Sequence, residues 1–276
     1  MTVLSSAAPP RVIAVPSSNP LLGFFLEVCV LAKRYLIHLR RQPQQLMFAT
    51  AQPALFVLMF RFVFGGAIKI GAGATNYASY LMPGIFIQSV TLGAMTIGVR
   101  LAEDMHSGLI DRFRSLPISR AAVLTGHTTA GLLRNLFVVC IVFVVGLAVG
   151  FRPALDPLGW LAAIALILGF TFAISWVAVT IALYVSNLEA VEMAGLTLLM
   201  PLTFVSSAFV PTQSMPGPLR WFAEHQPVSV VIDAVRPLFL GTDPGPYPYL
   251  ALLWIVGIVA VFSPLAVRGY LRATSK

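Results

Sequence analysis

The chain has 276 residues, of which 58% are hydrophobic and only 10% charged. Soluble domains carry roughly a quarter charged residues, so this composition excludes a water-soluble fold and points to an all-α integral membrane protein. The net charge of +8 would suggest nucleic acid in a soluble protein. Here the basic residues form no continuous face and the aromatics lie inside apolar runs, which excludes a nucleic-acid site and leaves the basic residues as flanks of membrane spans.

In chain order, residues 1–18 are Pro- and Ser-rich and lack the continuous apolar stretch of a signal peptide, which predicts a disordered tail. Asn19 and Pro20 then offer an N-cap and a first helical residue. Leu21, Phe25, Val28, Ala32, Leu36 and Leu39 recur at helical spacing while Lys33, Arg34, His38, Arg40 and Arg41 gather toward the end. Residues 19–42 are therefore an amphipathic helix expected to lie in the membrane interface; packing against a soluble partner is the alternative. Six stretches have the length and apolarity of spans: 46–64, 80–99, 123–149, 158–185, 193–210 and 249–267. The fifth is the shortest, and Pro201 interrupts it, which predicts a kink or a short span.

Between the second and third spans lies the most charge-dense stretch, RLAEDMHSGLIDRFRSLPISR, from Arg100 to Arg120. Leu101, Met105, Leu109, Phe113 and Leu116 recur at three- and four-residue steps, and Glu103, Asp104, Asp111, Arg112 and Arg114 hold the other faces. The spacing predicts a short amphipathic helix over 101–117, starting after Leu101 and stopped by Pro117; a plain interfacial loop is the simpler alternative. Asn187 is placed to cap the fifth span. Residues 211–240 hold two short amphipathic patterns broken at Gln226-Pro227, expected as half-helices dipping into the outer membrane boundary where protein or water satisfies the backbone. The tail, the first helix, the 100–122 loop and the C-terminal end hold most of the Lys and Arg. Lys69, Arg152, Arg220 and Arg236 are the basic residues of the opposite loops. Both termini are thus expected in the cytoplasm, with the chain crossing the plasma membrane several times.

Few residues bear chemistry. Neither a P-loop, a nucleophile elbow nor an H-E-x-x-H pattern occurs, so ATP is not bound by that mechanism and no catalytic residue is assigned. Cys29 and Cys140 sit among apolar neighbours and read as small buried hydrophobes, and the four histidines show no metal-ligand spacing. Arg61 and Arg134 are the ionisable residues inside spans. Each is a functional candidate because charge in hydrocarbon is costly, although Arg61 can snorkel to the outer headgroups. Gln52, Gln88, Thr91, Thr96, Asn135, Ser206 and Ser207 are polar within spans, where most such groups bond neighbouring helices.

The strings LAEDMHSGLIDRFRSLPISRAAVL, preceded by LMPGIFIQSV and followed after the third span by VGFRP, together with AFVPTQSMPGPLRWFAEHQPVSVVIDAVRPLFLG, resemble the ABC-2-type exporter permeases, specifically the daunorubicin-resistance type of actinobacteria. The resemblance covers nearly the whole chain after residue 20. It implies six transmembrane helices in a single domain over residues 19–276, with a connecting helix, a cytoplasmic coupling helix and an outer re-entrant pair. It further implies two permease subunits, identical or not, paired with two copies of a separate ATPase that binds ATP and Mg. The cargo it implies is a small amphiphile such as a drug, polyketide or lipid. By position, Glu103, Asp104, Leu109, Asp111, Arg112, Phe113 and Arg114 would dock that ATPase. Trp221, His225, Gln226 and Pro227 would belong to an outer gate, and Gln52, Gln88, Thr91 and Met95 would lie near the substrate, with Arg61 a further pathway candidate. The alternative function is a lipid-processing enzyme or assembly protein of the membrane with no ATPase partner.

Overall fold

The computed structural model describes residues 43–65, 77–106, 120–185 and 187–273, and among these every regular element is helical. The tail over 1–18, the interfacial helix over 19–42 and residues 107–117 of the amphipathic helix lie outside the described residues. Eight α-helices follow in order: α1 Pro43–Met59, α2 Tyr77–His106, α3 Arg120–Ala148, α4 Pro157–Tyr184, α5 Leu188–Phe204, α6 Gly217–His225, α7 Pro227–Leu240 and α8 Tyr247–Ala273. Among the described residues, five apolar segments are long enough to cross a membrane: Leu46–Phe64, Tyr77–Met105, Thr128–Ala148, Pro157–Tyr184 and Tyr247–Arg272.

The predicted fifth span over 193–210 is not among them. Its helix starts early, at Leu188, where Asn187 Oδ1 caps the Ala190 amide at 3.0 Å, and stops at Phe204 after 17 residues. Pro201 removes one donor from the last turn, and the Val205 amide closes the helix on the Pro201 carbonyl at 2.8 Å. Beyond it, residues 205–211 are irregular backbone folded back against α2 and α7. The expectation that a separate helix begins after Leu101 is also corrected. Leu101–His106 are the last turns of α2, because the apolar stripe of the second span continues through Leu101 and Ala102, both buried.

α2 is the centre of the fold. The most apolar window of its span is 78% buried, against 11% for α1 and 22% for α8. It touches α1, α3, α4, α5 and α7, and Leu81, Met82, Ile85, Phe86 and Ile97 are fully enclosed. Because lipid is as apolar as these side chains, close packing and interhelical hydrogen bonds hold the bundle rather than exclusion of water. Phe86 meets Phe143, Phe151 and Phe239 with ring centroids 5.8 to 6.2 Å apart, tying α2 to α3, to the turn after α3 and to α7. The periphery is apolar instead: Phe48, Leu55 and Phe62 on the first span, Leu158 and Leu161 on α4, and Leu253 and Val256 on α8 are all exposed. So much apolar surface suits lipid and no aqueous monomer. Cys140 is exposed on α3 rather than buried, so it too faces outward.

α1 ends in a π-helical turn, Phe60–Phe64, whose Phe60 ring stacks on Phe209 at 4.4 Å. Gly84 of α2 sits directly on the Ala208 backbone, so that a Cβ there would collide with the Ala208 carbonyl. Gly257 of α8 has nothing within 4 Å of its would-be Cβ. Replacement Gly84→Val is expected to cost about 1–3 kcal/mol through overpacking, read as a lowered thermal midpoint of the purified chain in detergent. Gly257→Ala should leave that midpoint unchanged or slightly raised, since alanine is the better helix former.

Candidate functional site

Two polar features are built into the apolar bundle. The first lies at mid-height between α1, α2 and α3, where a cavity of about 100 Å³ is bordered by Gln52, Gln88, Ser89, Thr96, Arg134 and Asn135 among apolar neighbours. Arg134 is the middle residue of α3, and it is buried, as are Gln88 and Asn135. Arg134 Nη1 donates to Asn135 Oδ1 at 3.4 Å. The Asn135 amide packs against bare Gly93 of α2, where any Cβ would strike Oδ1. Ser89 turns its hydroxyl to the Ile85 carbonyl at 2.6 Å, the back-bonding by which a hydroxyl is satisfied inside a helix. Gln52 is exposed at the cavity mouth.

The second feature clamps the Tyr77 end of α2. Arg236 of α7 donates to Asp233 Oδ1 at 2.8 Å, to the Ser207 carbonyl at 2.6 Å and to the Tyr80 carbonyl at 3.2 Å, and its guanidinium lies 3.9 Å from the centre of the Tyr80 ring. Ser207 Oγ donates to the same Asp233 oxygen at 2.7 Å, and Tyr80 Oη donates to the Ser207 carbonyl at 3.0 Å. Gln226 Nε2 reaches the Leu202 carbonyl and Ser229 Oγ, both at 3.0 Å, while its Oε1 caps the Val228 amide. The irregular 205–211 backbone is thereby satisfied by side chains of α2 and α7, which non-helical backbone at membrane depth requires. This network floors a cavity of about 920 Å³ whose rim includes Thr212, Glu224, His225, Tyr247 and Trp254. Arg220 bridges Glu224 at 2.7 Å, and that hydrogen bond holds the Glu224 carboxyl below its ordinary range.

A family model described as ABC-2 type transporter matches residues 26–240. The chain belongs to the ABC-2 type transporter membrane family. This ABC-2 chain is 33% identical to the daunorubicin resistance ABC transporter permease protein DrrB1 of Streptomyces coeruleorubidus, over 86% of its own length and 83% of the relative's. It is 29% identical to the probable doxorubicin resistance ABC transporter permease protein DrrC of Mycobacterium tuberculosis, over 94% and 93% of the two chains. It is also 24% identical to the O-antigen export system permease protein RfbA of Klebsiella pneumoniae, over 82% and 84%.

Of the pathway residues expected from sequence, the ABC-2 fold brings Gln52 and Gln88 to one cavity and adds Arg134 and Asn135 to them. Thr91 instead turns its hydroxyl to the Ile87 carbonyl at 2.6 Å, and Met95 packs over Gly195 of α5. Arg61 lines neither cavity, its Nε donating to the carbonyl of Val149, just past the end of α3, at 3.3 Å. Trp221 and His225 stack at 5.0 Å on α6, Gln226 is the buried cap of α7 and Pro227 is that helix's first residue. Glu103 and Asp104 stand on the last turns of α2, the former exposed. Leu109, Asp111, Arg112, Phe113 and Arg114 lie outside the described residues. Sequence reading missed the Asp233–Arg236 pair, whose i,i+3 spacing within one amphipathic stretch was the available signal. Replacing Arg236 by Ala strands the Asp233 carboxylate and is expected to cost about 3 kcal/mol, measured as a lower thermal midpoint. Arg236→Lys should recover only part of it, because one ammonium cannot reproduce the planar fork that reaches three acceptors.

Proposed function

We propose that this chain is the membrane subunit of an ATP-binding cassette exporter that moves amphiphilic compounds, whether drugs, polyketides or lipids, out of the cytoplasm or inner leaflet. The observation that carries the reading is the likeness, along most of the chain, to two permeases whose names record resistance to daunorubicin and doxorubicin. Since the sequence holds no P-loop, ATP and Mg belong to a separate subunit, taken in two copies by a pair of permeases. The excess of Lys and Arg on the side of the tail, the 100–122 loop and the C-terminal end supports a cytoplasmic location for both termini. The Ser207–Asp233–Arg236 clamp then lies toward the outer surface.

In this reading α2 is the mechanical link. Its 30 residues run without interruption from Tyr77 to His106, roughly 45 Å at 1.5 Å per residue. One end carries Glu103 and Asp104, at the start of the proposed docking element. The other end is held by Arg236 at Tyr80. Gln88 lies between. A push delivered by the ATPase at residues 103–115 would therefore reach the cavity and the α6–α7 gate through one continuous helix.

The test is amphiphile-stimulated ATP hydrolysis by the chain reconstituted with its cognate ATP-binding subunit. Asp111→Ala combined with Phe113→Ala is expected to lower the stimulated component about thirtyfold, the effect of losing the roughly 2 kcal/mol of one interfacial hot spot, while the unstimulated rate of the ATPase stays the same. Stimulation equal to wild type in the double variant would remove residues 103–115 from the coupling role.

A further inference from the structure

Two guanidinium groups meet at the end of α3 without a carboxylate between them. Arg61 Nε, from the π-helical turn that ends α1, donates to the Val149 carbonyl at 3.3 Å. Arg152 Nη1 donates to the Leu147 and Phe151 carbonyls at 2.8 and 3.0 Å. Neither arginine forms an ion pair among the described residues. Asp156, four residues after Arg152, is spent on capping the Leu158 amide, and the carboxylates of Glu224 and Asp233 belong to Arg220 and Arg236. The segment from 66 to 76, which joins α1 to α2, holds Lys69 and no Asp or Glu.

The end of the helix compensates only part of this charge. α3 stops at Ala148, and Gly150, at φ +100°, turns the chain away, which leaves carbonyls for the arginines to take. A helix C-terminus amounts to roughly half a negative charge. Two full positive charges exceed it. A guanidinium also has five N–H donors, of which Arg61 uses only Nε–H and Arg152 only those of Nη1. Each arginine therefore keeps N–H groups that no described residue accepts.

Depth and surroundings name the acceptor. The first span stops at Phe64, the third at Ala148, and α4 begins at Pro157, so both arginines stand where hydrocarbon gives way to headgroups. Phe62 and Val63 beside Arg61, and Leu155 and Leu158 beyond Arg152, are exposed, Leu155 at 98%. A bare leucine in a turn suits acyl chains better than water. Phosphate oxygens match the planar fork of each arginine, and a phosphate that carries acyl chains meets the polar and the apolar demand together.

We propose that Arg61 and Arg152 form a binding site for the phosphate of an anionic membrane phospholipid, whose headgroup bridges the end of α1 to the turn after α3. The first span is the least enclosed of the five, 11% buried in its most apolar window, so the lipid would tether the helix that protein contacts hold least. This site needs neither an ATPase nor a cargo and is independent of the exporter reading.

The experiment presents the purified full chain with dioleoyl phosphatidylglycerol or dioleoyl phosphatidylcholine, counting bound lipid by native mass spectrometry and following the thermal midpoint. The anionic lipid is expected to bind about thirtyfold more tightly, as two cations beside an anionic headgroup imply, and to raise the midpoint. Arg61→Gln with Arg152→Gln is expected to bring the preference below about threefold and to remove the rise. Glutamine still has an N–H for the same carbonyls, so the end of α3 stays capped. Should the double variant fail to fold, Arg152→Gln alone, at an exposed position, is expected to lower the preference about fivefold. Lys33→Gln with Arg34→Gln removes the same charge from the basic stretch before the first span and should leave the preference intact. Equal binding of the two lipids by the wild type, as arginines that only cap a helix would give, overturns the proposal. So does a preference that survives in the folded Arg61 and Arg152 variants, or one lost equally in the Lys33 and Arg34 variant. Because the readout is lipid binding without ATP, its failure is distinct from a failure of ATPase coupling.

Discussion

An apolar medium leaves no backbone N–H or C=O to water, and among the described residues the chain departs from helix at a decisive place beside α2. Between Val205 and Pro211 the backbone is irregular, yet it is buried against α2 and α7. Tyr80, Gln226, Ser229 and Arg236 supply the hydrogen bonds that a continuing helix would have supplied. The cost of freeing these groups in hydrocarbon explains why so many polar side chains converge here. They form the joint that holds α5, α7 and the start of α2 in one arrangement.

From that joint the rest of the architecture follows. α2 is fixed at Tyr80 and enclosed along most of its length, so it has little freedom except as a body. Gly84 lets it sit against the joint and Gly93 lets Asn135 fit beside it, which brings the amides of Gln88 and Asn135 to one small space. α1 is far less enclosed and touches the joint chiefly through the aromatic contacts of Phe56 and Phe60 with Phe209. A well-packed α2 beside a loosely packed α1 is an arrangement in which one wall of the cavity can move while the other transmits load.

Much of this was legible in the sequence. Long apolar runs marked five helices, their starts to within three residues and their ends to within seven, Asn187 announced its cap, and Gln226-Pro227 announced the break between α6 and α7. Pro201 signalled trouble in the fifth span, but where that helix stops depends on Gln226, Ser229 and Arg236, more than twenty residues away, and local pattern carries no such information. The same limit applies to the cavity. Gln88, Ser89, Leu92, Gly93 and Thr96 form one wall of α2, whereas Thr91 and Met95 fall on the neighbouring strip and face α2's own backbone and α5. Polarity within a span picks out candidates. Only the rotation of each helix about its axis, set by packing, decides which of them meet.

The proposed function requires this membrane chain to export an amphiphile when a partner hydrolyses ATP. The decisive measurement is flux in proteoliposomes carrying the chain and its cognate ATP-binding subunit, followed with a fluorescent amphiphile and ATP on the side of the ATPase. Export predicts ATP-dependent movement of the amphiphile away from the ATPase side that stops when the permease chain is omitted. Movement that is independent of ATP, or that proceeds equally without this chain, would contradict it.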